Sequence, residues 1–383
     1  MTSPPAGDRY AAEGWFLAQG LPAVVRRGAL LRRVWSRSAP ALAGYAVIAA
    51  NSILVVALSG HHTIDIDGRP NLTEGFILAL IVLVLPAAAL LGWLVSRIDS
   101  VFRRVMAANV AMVVIVIGAV LGGASYRVFA NLLFSAIVVA VILVCTATGI
   151  GSVLGWAAHA TLSNLALVGG MFVRALPVVL LTFLVFFNTY VWLMAAVVTR
   201  TRLWLGLGFL FLIAAAFLVS STLDQVRPIL AAPEPDPGDQ ARLSGTPFEN
   251  MPDDPGTKPL SHPERANVVF VLAASQVGQV LTVAVLTGGI FFILGLILVS
   301  PPLLDSWTRG AGRPDGQLLG MTLPIPDALI QTAMVLTAIT FMYLSAKAVT
   351  DKEYRAQFVD PMLEELRLTL VARDRYRSSL PKR

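Results

Sequence analysis

The residues that could do chemistry in this chain are neutral amides that interrupt long apolar runs. Four of them stand inside such runs: Asn51, Asn188, Gln279 and Gln331. Charged side chains stand only near the ends of these runs, and a charge buried at the centre of a bilayer costs about 2.5–3.5 kcal/mol or more. Neutral amides in this setting favour hydrogen bonds between helices. The alternative is that the four line a path for a neutral or weakly polar solute.

A second polar group lies in the first loop, where His61, His62, Asp65 and Asp67 occur close together. Imidazole and carboxylate groups ligate zinc and other divalent cations. Their spacing matches no standard metal site, and the Asp-Gly pair that begins at Asp67 is typical of a turn. We therefore predict an ordinary polar hairpin here. An enzyme that uses Asp65 and Asp67 is the least favoured reading of the chain.

The rest of the sequence gives no pattern typical of catalysis or cofactor binding. It contains no nucleophile beside a base and no phosphate-binding loop, since Gly149-Ile-Gly151 and Gly206-Leu-Gly208 lie inside apolar runs. The single cysteine, Cys145, provides neither a disulfide nor a cysteine-based metal cluster. The sequence predicts a protein that is not an enzyme and has no catalytic, cofactor or metal site.

The apolar runs that position the amides are long enough to cross a bilayer. The chain has 383 residues, of which 56% are hydrophobic and 14% charged, too apolar for a soluble domain. A helix needs roughly 20 apolar residues to cross the hydrocarbon, and runs of this length without period-two alternation exclude a barrel. The predicted fold class is all-α, a polytopic transmembrane helical bundle of about eight spans, at 41–59, 75–95, 106–123, 129–156, 176–198, 203–221, 276–299 and 327–349.

The segments beside the spans complete the predicted organisation. Residues 157–175 mix apolar and polar side chains and are predicted as an interfacial helix, with a re-entrant element as the alternative. Residues 222–266 are rich in proline and acidic residues and are predicted as a largely irregular loop. The predicted regions are a basic N-terminal segment 1–40, a six-span region 41–221, the loop 222–266, a two-span region 267–349, and a tail 350–383 with a helix that begins near Asp360.

The basic residues indicate which ends of the spans face the cytosol, because cytoplasmic flanks are enriched in lysine and arginine. With both termini cytosolic, 23 of the 29 basic residues lie on that side, and the other six are Arg69, Arg127, Arg200, Arg202, Arg309 and Arg313. We therefore predict a multi-pass protein of the inner (cytoplasmic) cell membrane. These residues flank spans, so the formal charge of +6 does not indicate binding of nucleic acid.

Several short stretches give the chain a resemblance to a known group of proteins. They are Gly20-Leu-Pro22, Phe172 to Pro177, Phe186 to Trp192, Ser275 to Gln279, and Ala348 to Phe358. Over most of its length the chain resembles uncharacterised multi-pass integral membrane proteins of actinobacteria. The resemblance implies a membrane-embedded helical fold and carries no activity with it.

Two functions follow from these observations as hypotheses. The favoured one is a component of the membrane that binds a protein partner, or assists assembly, through the 222–266 loop and the C-terminal helix. That helix carries an apolar stripe of Leu363, Leu366 and Leu370. The alternative is a channel or facilitator with a neutral path lined by the four amides. In both cases the chain is surrounded by the lipid bilayer.

Overall fold

The computed structural model describes residues 6–25, 30–31, 33–62, 64–66, 70–123, 127–163, 176–231, 238–249, 251, 260–318, 321–350 and 360–378. Its helices are α1 (Ala6–Ala18), α2 (Val34–Ser59), α3 (Leu72–Ser96), α4 (Val101–Leu121), α5 (Val128–Thr148), α6 (Ile150–Ser163), α7 (Leu176–Phe186), α8 (Thr189–Val197), α9 (Arg200–Ala231), α10 (Asp239–Leu243), α11 (His262–Leu298), α12 (Pro301–Thr308), α13 (Asp327–Thr350) and α14 (Asp360–Ser378). A short antiparallel hairpin joins β1 (Gly316–Leu318) to β2 (Met321–Leu323).

The predicted all-α bundle is confirmed by the length and composition of these helices. Within the described ranges, seven helices are long and apolar enough to cross a membrane, namely α2, α3, α4, α5, α9, α11 and α13. The predicted span 176–198 is divided into α7 and α8, which bend by 61° at their junction. Counted as one broken span, this pair brings the number to eight.

Local sequence signals set the ends of several helices. At the start of α3, Asn71 Oδ1 accepts a hydrogen bond from the Glu74 amide, and Glu74 accepts one from the Asn71 amide, both at 2.8 Å. At the end of α5, Gly149 adopts φ 84°, a left-handed conformation that favours glycine. That residue splits the predicted span 129–156 between α5 and α6. Residues 164–175, most of the predicted interfacial helix, lie outside the described residues, so that element stays a prediction.

The chain divides into two compact units. Unit 1 contains residues 1–29, 152–299 and 331–383, and unit 2 contains residues 30–151 and 300–330. Unit 1 therefore holds α1, α7 to α11, α14, and most of α6 and α13. Unit 2 holds α2 to α5, α12 and the hairpin.

Small residues bring the helices of unit 2 close together. A Cβ added to Gly92 would lie 3.1 Å from the Pro40 carbonyl oxygen, and one added to Gly118 would lie 2.7 Å from the Ala49 Cβ. Packing of this kind replaces the hydrophobic effect as the force between helices in lipid. Gly118 thus lies at an interface between α4 and α2. By contrast, no atom lies within 4 Å of a Cβ added to Gly155 of α6.

Replacing Gly118 by leucine should separate α4 from α2. The added side chain collides with Ala49, and overpacking of this kind costs about 1–3 kcal/mol. The matched control is Gly155→Leu, which meets open space. Thermal unfolding in a mild detergent should show a lower midpoint for Gly118→Leu alone, and equal losses for the two variants would contradict the assigned interface.

Unit 1 is organised around α11, which is longer than a membrane crossing requires. Its 37 residues extend about 55 Å, against a hydrocarbon thickness of about 30 Å. Its middle packs with α9 and α13 around Ala214, Leu218, Val280, Ala284 and Phe341. Its first turns extend beyond this apolar core and meet the short helices of the unit.

Candidate functional site

The first turns of α11 belong to a cluster outside the apolar spans, which we call the cap. It consists of α1, residues 238–249 and 251, the first two turns of α11, and α14. Its aromatic core brings together three distant segments of the chain. Phe248, which is fully buried, has its ring centroid 5.0 Å from that of Trp15 and 5.2 Å from that of Phe16. Phe16 in turn lies 5.5 Å from Tyr376 of α14.

Glu264 and Arg373 form a buried ion pair in the cap. The pair is 3.0 Å long, and each side chain is only 1% exposed. Arg377 also contacts Glu264, at 2.7 Å, and Asp374 pairs with Arg373 at 2.6 Å. Burial opposes the charge on Arg373, but its hydrogen bonds with Glu264 and Asp374 outweigh that effect and raise its pKa. For the Asp374 carboxyl, burial disfavours the charged form and raises the pKa.

Glu264 has a second role at the start of α11. Its Oε2 accepts hydrogen bonds from the Ser261 amide at 2.9 Å and from the Ser261 hydroxyl at 2.8 Å. The Ser-x-x-Glu pattern therefore forms a capping box. One carboxylate thus caps the first turn of α11 and also joins this helix to α14.

Residues of the central loop make a second set of polar contacts with α14. Arg367 donates to both carboxylate oxygens of Asp239, at 2.6 and 2.9 Å, and Asp239 is 4% exposed. Arg375 donates to Gln240 at 2.6 Å. A hydrogen bond from Arg367 lowers the pKa of the exposed Glu364 carboxyl, and the hydrogen bonds with Asp239 and Glu364 raise the pKa of Arg367.

These contacts place the described part of the predicted 222–266 loop within the cap. Residues 238–249 consist of the short helix α10 and successive turns, and the largely irregular character of the whole loop stays a prediction. The apolar stripe of α14 is also used by its own chain, since Leu366 and Leu370 are 7% and 1% exposed and Leu363 is half-buried. The amino-acid composition shows that the loop is acidic. It does not show that the acidic side chains contact arginines more than 100 residues away along the chain.

The cap also restricts how many times the chain crosses the membrane. Since α1, the loop between α9 and α11, and α14 contact one another, they lie on the same side. Along the chain, two spans, α11 and α13, separate the loop from α14. An even number of crossings returns the chain to the same side of the membrane. Five candidate spans of the described residues lie between α1 and the loop. Counting the broken α7–α8 pair as one more gives six, which is also an even number.

The four predicted amides occupy different surroundings. Gln279 and Gln331 are buried in unit 1, each 2% exposed. Asn51 is half-buried on α2 of unit 2, and Asn188 is exposed between α7 and α8. Their assignment to one solute path stays a prediction.

Packing between α11 and α13 fixes the distance between the two buried glutamines. A Cβ on Gly288 would lie 3.3 Å from the Ala333 carbonyl oxygen, and Ala284 packs with Phe341. The two helices are therefore antiparallel, and Gln279 lies opposite a residue near position 343. Gln331 is roughly twelve residues from that level, which corresponds to about 18 Å along the axis.

Hydroxyl groups that were not predicted from the sequence lie near the two glutamines on the same helices and on α7. Thr287, Thr337 and Ser345 each donate to the carbonyl four residues earlier, at 2.7–2.9 Å, so their own helices satisfy them. Thr182 and Thr340 place their hydroxyls 3.4 Å apart. The sequence signal that could have identified these hydroxyl groups is the presence of serine and threonine inside the apolar runs. Together with the glutamines they form a neutral polar seam within unit 1.

The junction of α7 and α8 is built by specific hydrogen bonds. The fully buried Trp192 donates its indole N–H to the Phe186 carbonyl at 2.6 Å, a group that the break frees from α7. Asn188 Oδ1 accepts from the Tyr190 amide at 3.0 Å and so begins α8. The span predicted over 176–198 therefore consists of two helices, α7 and α8, and not of one continuous helix. Asn188 acts as a helix cap in this structure.

Replacing Trp192 by phenylalanine should destabilise this junction. The change keeps an aromatic ring but leaves the buried Phe186 carbonyl without its donor, which costs about 1–3 kcal/mol. Trp204→Phe is the matched control, since Trp204 is 56% exposed. Thermal unfolding followed by intrinsic fluorescence measures the difference, and an unchanged midpoint for Trp192→Phe would show that the hydrogen bond does not support the break.

The histidines and aspartates of the first loop make contacts within unit 2. His62 Nδ1 lies 2.6 Å from the Gly123 carbonyl oxygen, and Asp65 accepts a hydrogen bond from the Thr322 hydroxyl at 2.9 Å. Asp65 also forms a β-bridge to Thr322, which joins the loop to β2. Asp67 lies outside the described residues. In the described part of the chain, no three metal-binding side chains form a group.

Comparison with known proteins does not assign the chain to a family. No protein-family model, curated protein or solved structure matches it.

Proposed function

We propose that this multi-pass membrane protein is a non-enzymatic component of the cytoplasmic membrane that binds a protein partner through the cap. In this proposal both termini and the cap are cytosolic. The observation that supports it most is the cap itself, in which α1, α14 and the described part of the central loop fold into one module around a buried ion pair. This module presents a defined surface outside the apolar spans.

The outer face of the cap suggests the chemistry of the partner. Gln240, Arg242 and Glu249 from the loop, and Glu364 and Glu365 from α14, are exposed. Arg242 is already paired with Glu364 at 3.0 Å, so the remaining charge of this face is acidic. Complementary charges guide and orient association between proteins. We therefore expect a partner that presents lysine or arginine side chains.

Site-specific crosslinking can test this proposal because the chain has only one cysteine, Cys145. In a Cys145→Ala background, Ala241→Cys places a photocrosslinker on the exposed surface of α10. Thr199→Cys is the control, exposed in the turn between α8 and α9. In membranes, we expect one defined adduct from position 241 that is lost after Glu365→Lys. Equal adducts from both positions, or an adduct insensitive to Glu365→Lys, would contradict the proposal.

A facilitator is the second candidate, and the broken α7–α8 span favours it. Interrupted helices at membrane depth occur where the backbone is enclosed by protein or lines a water-filled cavity, and transporters often bind solutes there. The neutral seam of unit 1 supplies polar groups near such a break. Glycerol and urea flux into proteoliposomes would test this reading. Asn188→Leu and Gln279→Leu should each reduce the flux while Gln240→Leu in the cap does not, and unchanged flux would eliminate the path.

A further inference from the structure

Three arginines of unit 2 differ from those of the cap in having no acidic partner. Arg33, Arg97 and Arg103 are exposed, and none forms an ion pair with any described residue. Their neighbour Arg104 is used structurally, since its guanidinium donates to the Ser96 and Ile98 carbonyls at the end of α3, at 2.8 and 2.5 Å. The guanidinium groups of the other three remain open to an anion.

Helix packing in unit 2 places these arginines at one end. A Cβ on Gly92 would lie against Pro40 and one on Gly44 against Ala88, so α2 and α3 are antiparallel and Arg97 falls at the level of the first turn of α2. The helices α4 and α2 are parallel, since a Cβ on Gly118 would lie against Ala49 and one on Gly122 against Ile53, so Arg103 in the first turn of α4 falls at the same level. Arg33 is the N-cap of α2. We call this set of Arg33, Arg97 and Arg103 the arginine end.

Two tryptophans set the depth of the arginine end in the bilayer. Trp93 is 47% exposed and carries the Arg97 guanidinium 4.1 Å above its ring centroid. Trp35 lies on the first turn of α2, at the same end. Tryptophans of membrane proteins concentrate where the hydrocarbon meets the headgroups. The arginines beside them therefore lie at headgroup depth. The loop between α3 and α4 also contains one acidic residue, Asp99.

We propose that the arginine end binds the phosphate of an anionic phospholipid. Guanidinium groups donate paired hydrogen bonds to phosphate oxygens, and Trp93 holds one guanidinium in a fixed position beside the lipid. An anionic headgroup would supply the negative charge that no described side chain gives these arginines. The site differs from the cap, so it does not depend on the proposed partner.

Native mass spectrometry of the full chain in a neutral detergent can test this proposal, with titration of dioleoyl phosphatidylglycerol, phosphatidylcholine or inorganic phosphate. We expect Arg97→Gln/Arg103→Gln to bind phosphatidylglycerol about 30-fold more weakly, because each basic residue near an anionic surface adds roughly a factor of five to the affinity. The control Arg309→Gln/Arg313→Gln loses the same formal charge elsewhere in unit 2. It should bind like the unaltered chain.

A charge-retaining variant separates recognition from folding. Arg97→Lys/Arg103→Lys should bind phosphatidylglycerol more tightly than the glutamine variant but less tightly than the unaltered chain, since lysine keeps the positive charge and loses the paired hydrogen bonds of the guanidinium. Equal binding of phosphatidylcholine and phosphatidylglycerol would overturn the proposal. So would full affinity in the glutamine variant, or inorganic phosphate that binds as tightly as the lipid.

Discussion

Replacing Glu264 by glutamine should open the cap. Glutamine keeps the shape of the side chain and can still cap α11, but it removes the charge that faces Arg373, and both side chains are 1% exposed. Breaking a buried ion pair costs about 3–5 kcal/mol, and we expect about 3 kcal/mol because Asp374 still contacts Arg373. Limited trypsin digestion measures the effect, since Arg373 and Arg375 are buried in the closed cap.

The rate of cleavage at these two arginines should rise roughly a hundredfold in Glu264→Gln, in proportion to the open population. The matched control is Glu364→Gln, the same chemical change in an ion pair whose glutamate is 47% exposed. Surface pairs contribute about 1 kcal/mol or less, so the control should change the rate about fivefold at most. Similar rates in the two variants would show that the buried pair does not hold the cap together.

Replacing Phe248 by alanine should have an effect of similar size from a different cause. Phe248 is fully buried against Trp15 and Phe16, and truncating a buried phenylalanine costs about 3–5 kcal/mol. A residue in a free linker would give no measurable change. Hydrogen exchange of the α14 amides reports the loss, because these amides should exchange faster when the aromatic core of the cap is incomplete.

The control for this change is Phe209→Ala on α9, where the side chain is 64% exposed. In detergent micelles it should leave exchange in α14 unchanged. If Phe248→Ala also left α14 protected, the central loop would contribute nothing to the cap, and the partner surface proposed on it would lose its basis.

The helical spans could be predicted from the sequence because length and apolarity suffice to identify them. The break near Asn188 could not, since an asparagine in an apolar run has the same composition whether it continues a helix or caps a new one. In the structure Asn188 caps α8, and Trp192 donates a hydrogen bond to the Phe186 carbonyl at the break. Likewise, Gly149 ends α5 through its φ of 84°, which a hydropathy profile does not register.

The cap could not be predicted from the sequence for another reason. Its stability depends on contacts between segments that are distant along the chain, such as Glu264 with Arg373 and Asp239 with Arg367. Each residue alone resembles a solvated charge in a linker or a tail. The amides Gln279 and Gln331 were correctly found as polar groups inside spans, but their separation along α11 and α13 follows from packing between helices, which one sequence does not contain.

Cysteine accessibility in intact cells tests most directly whether both termini and the central loop share one side of the membrane. In the Cys145→Ala background, Ala11→Cys, Ala241→Cys and Glu365→Cys each place a thiol at an exposed position of the cap, and Thr199→Cys marks the opposite end of α9. An impermeant maleimide should label only position 199 before lysis and all four positions afterwards. Labelling that divides the three cap positions between the two sides of the membrane would contradict the cap and the eight-span topology together.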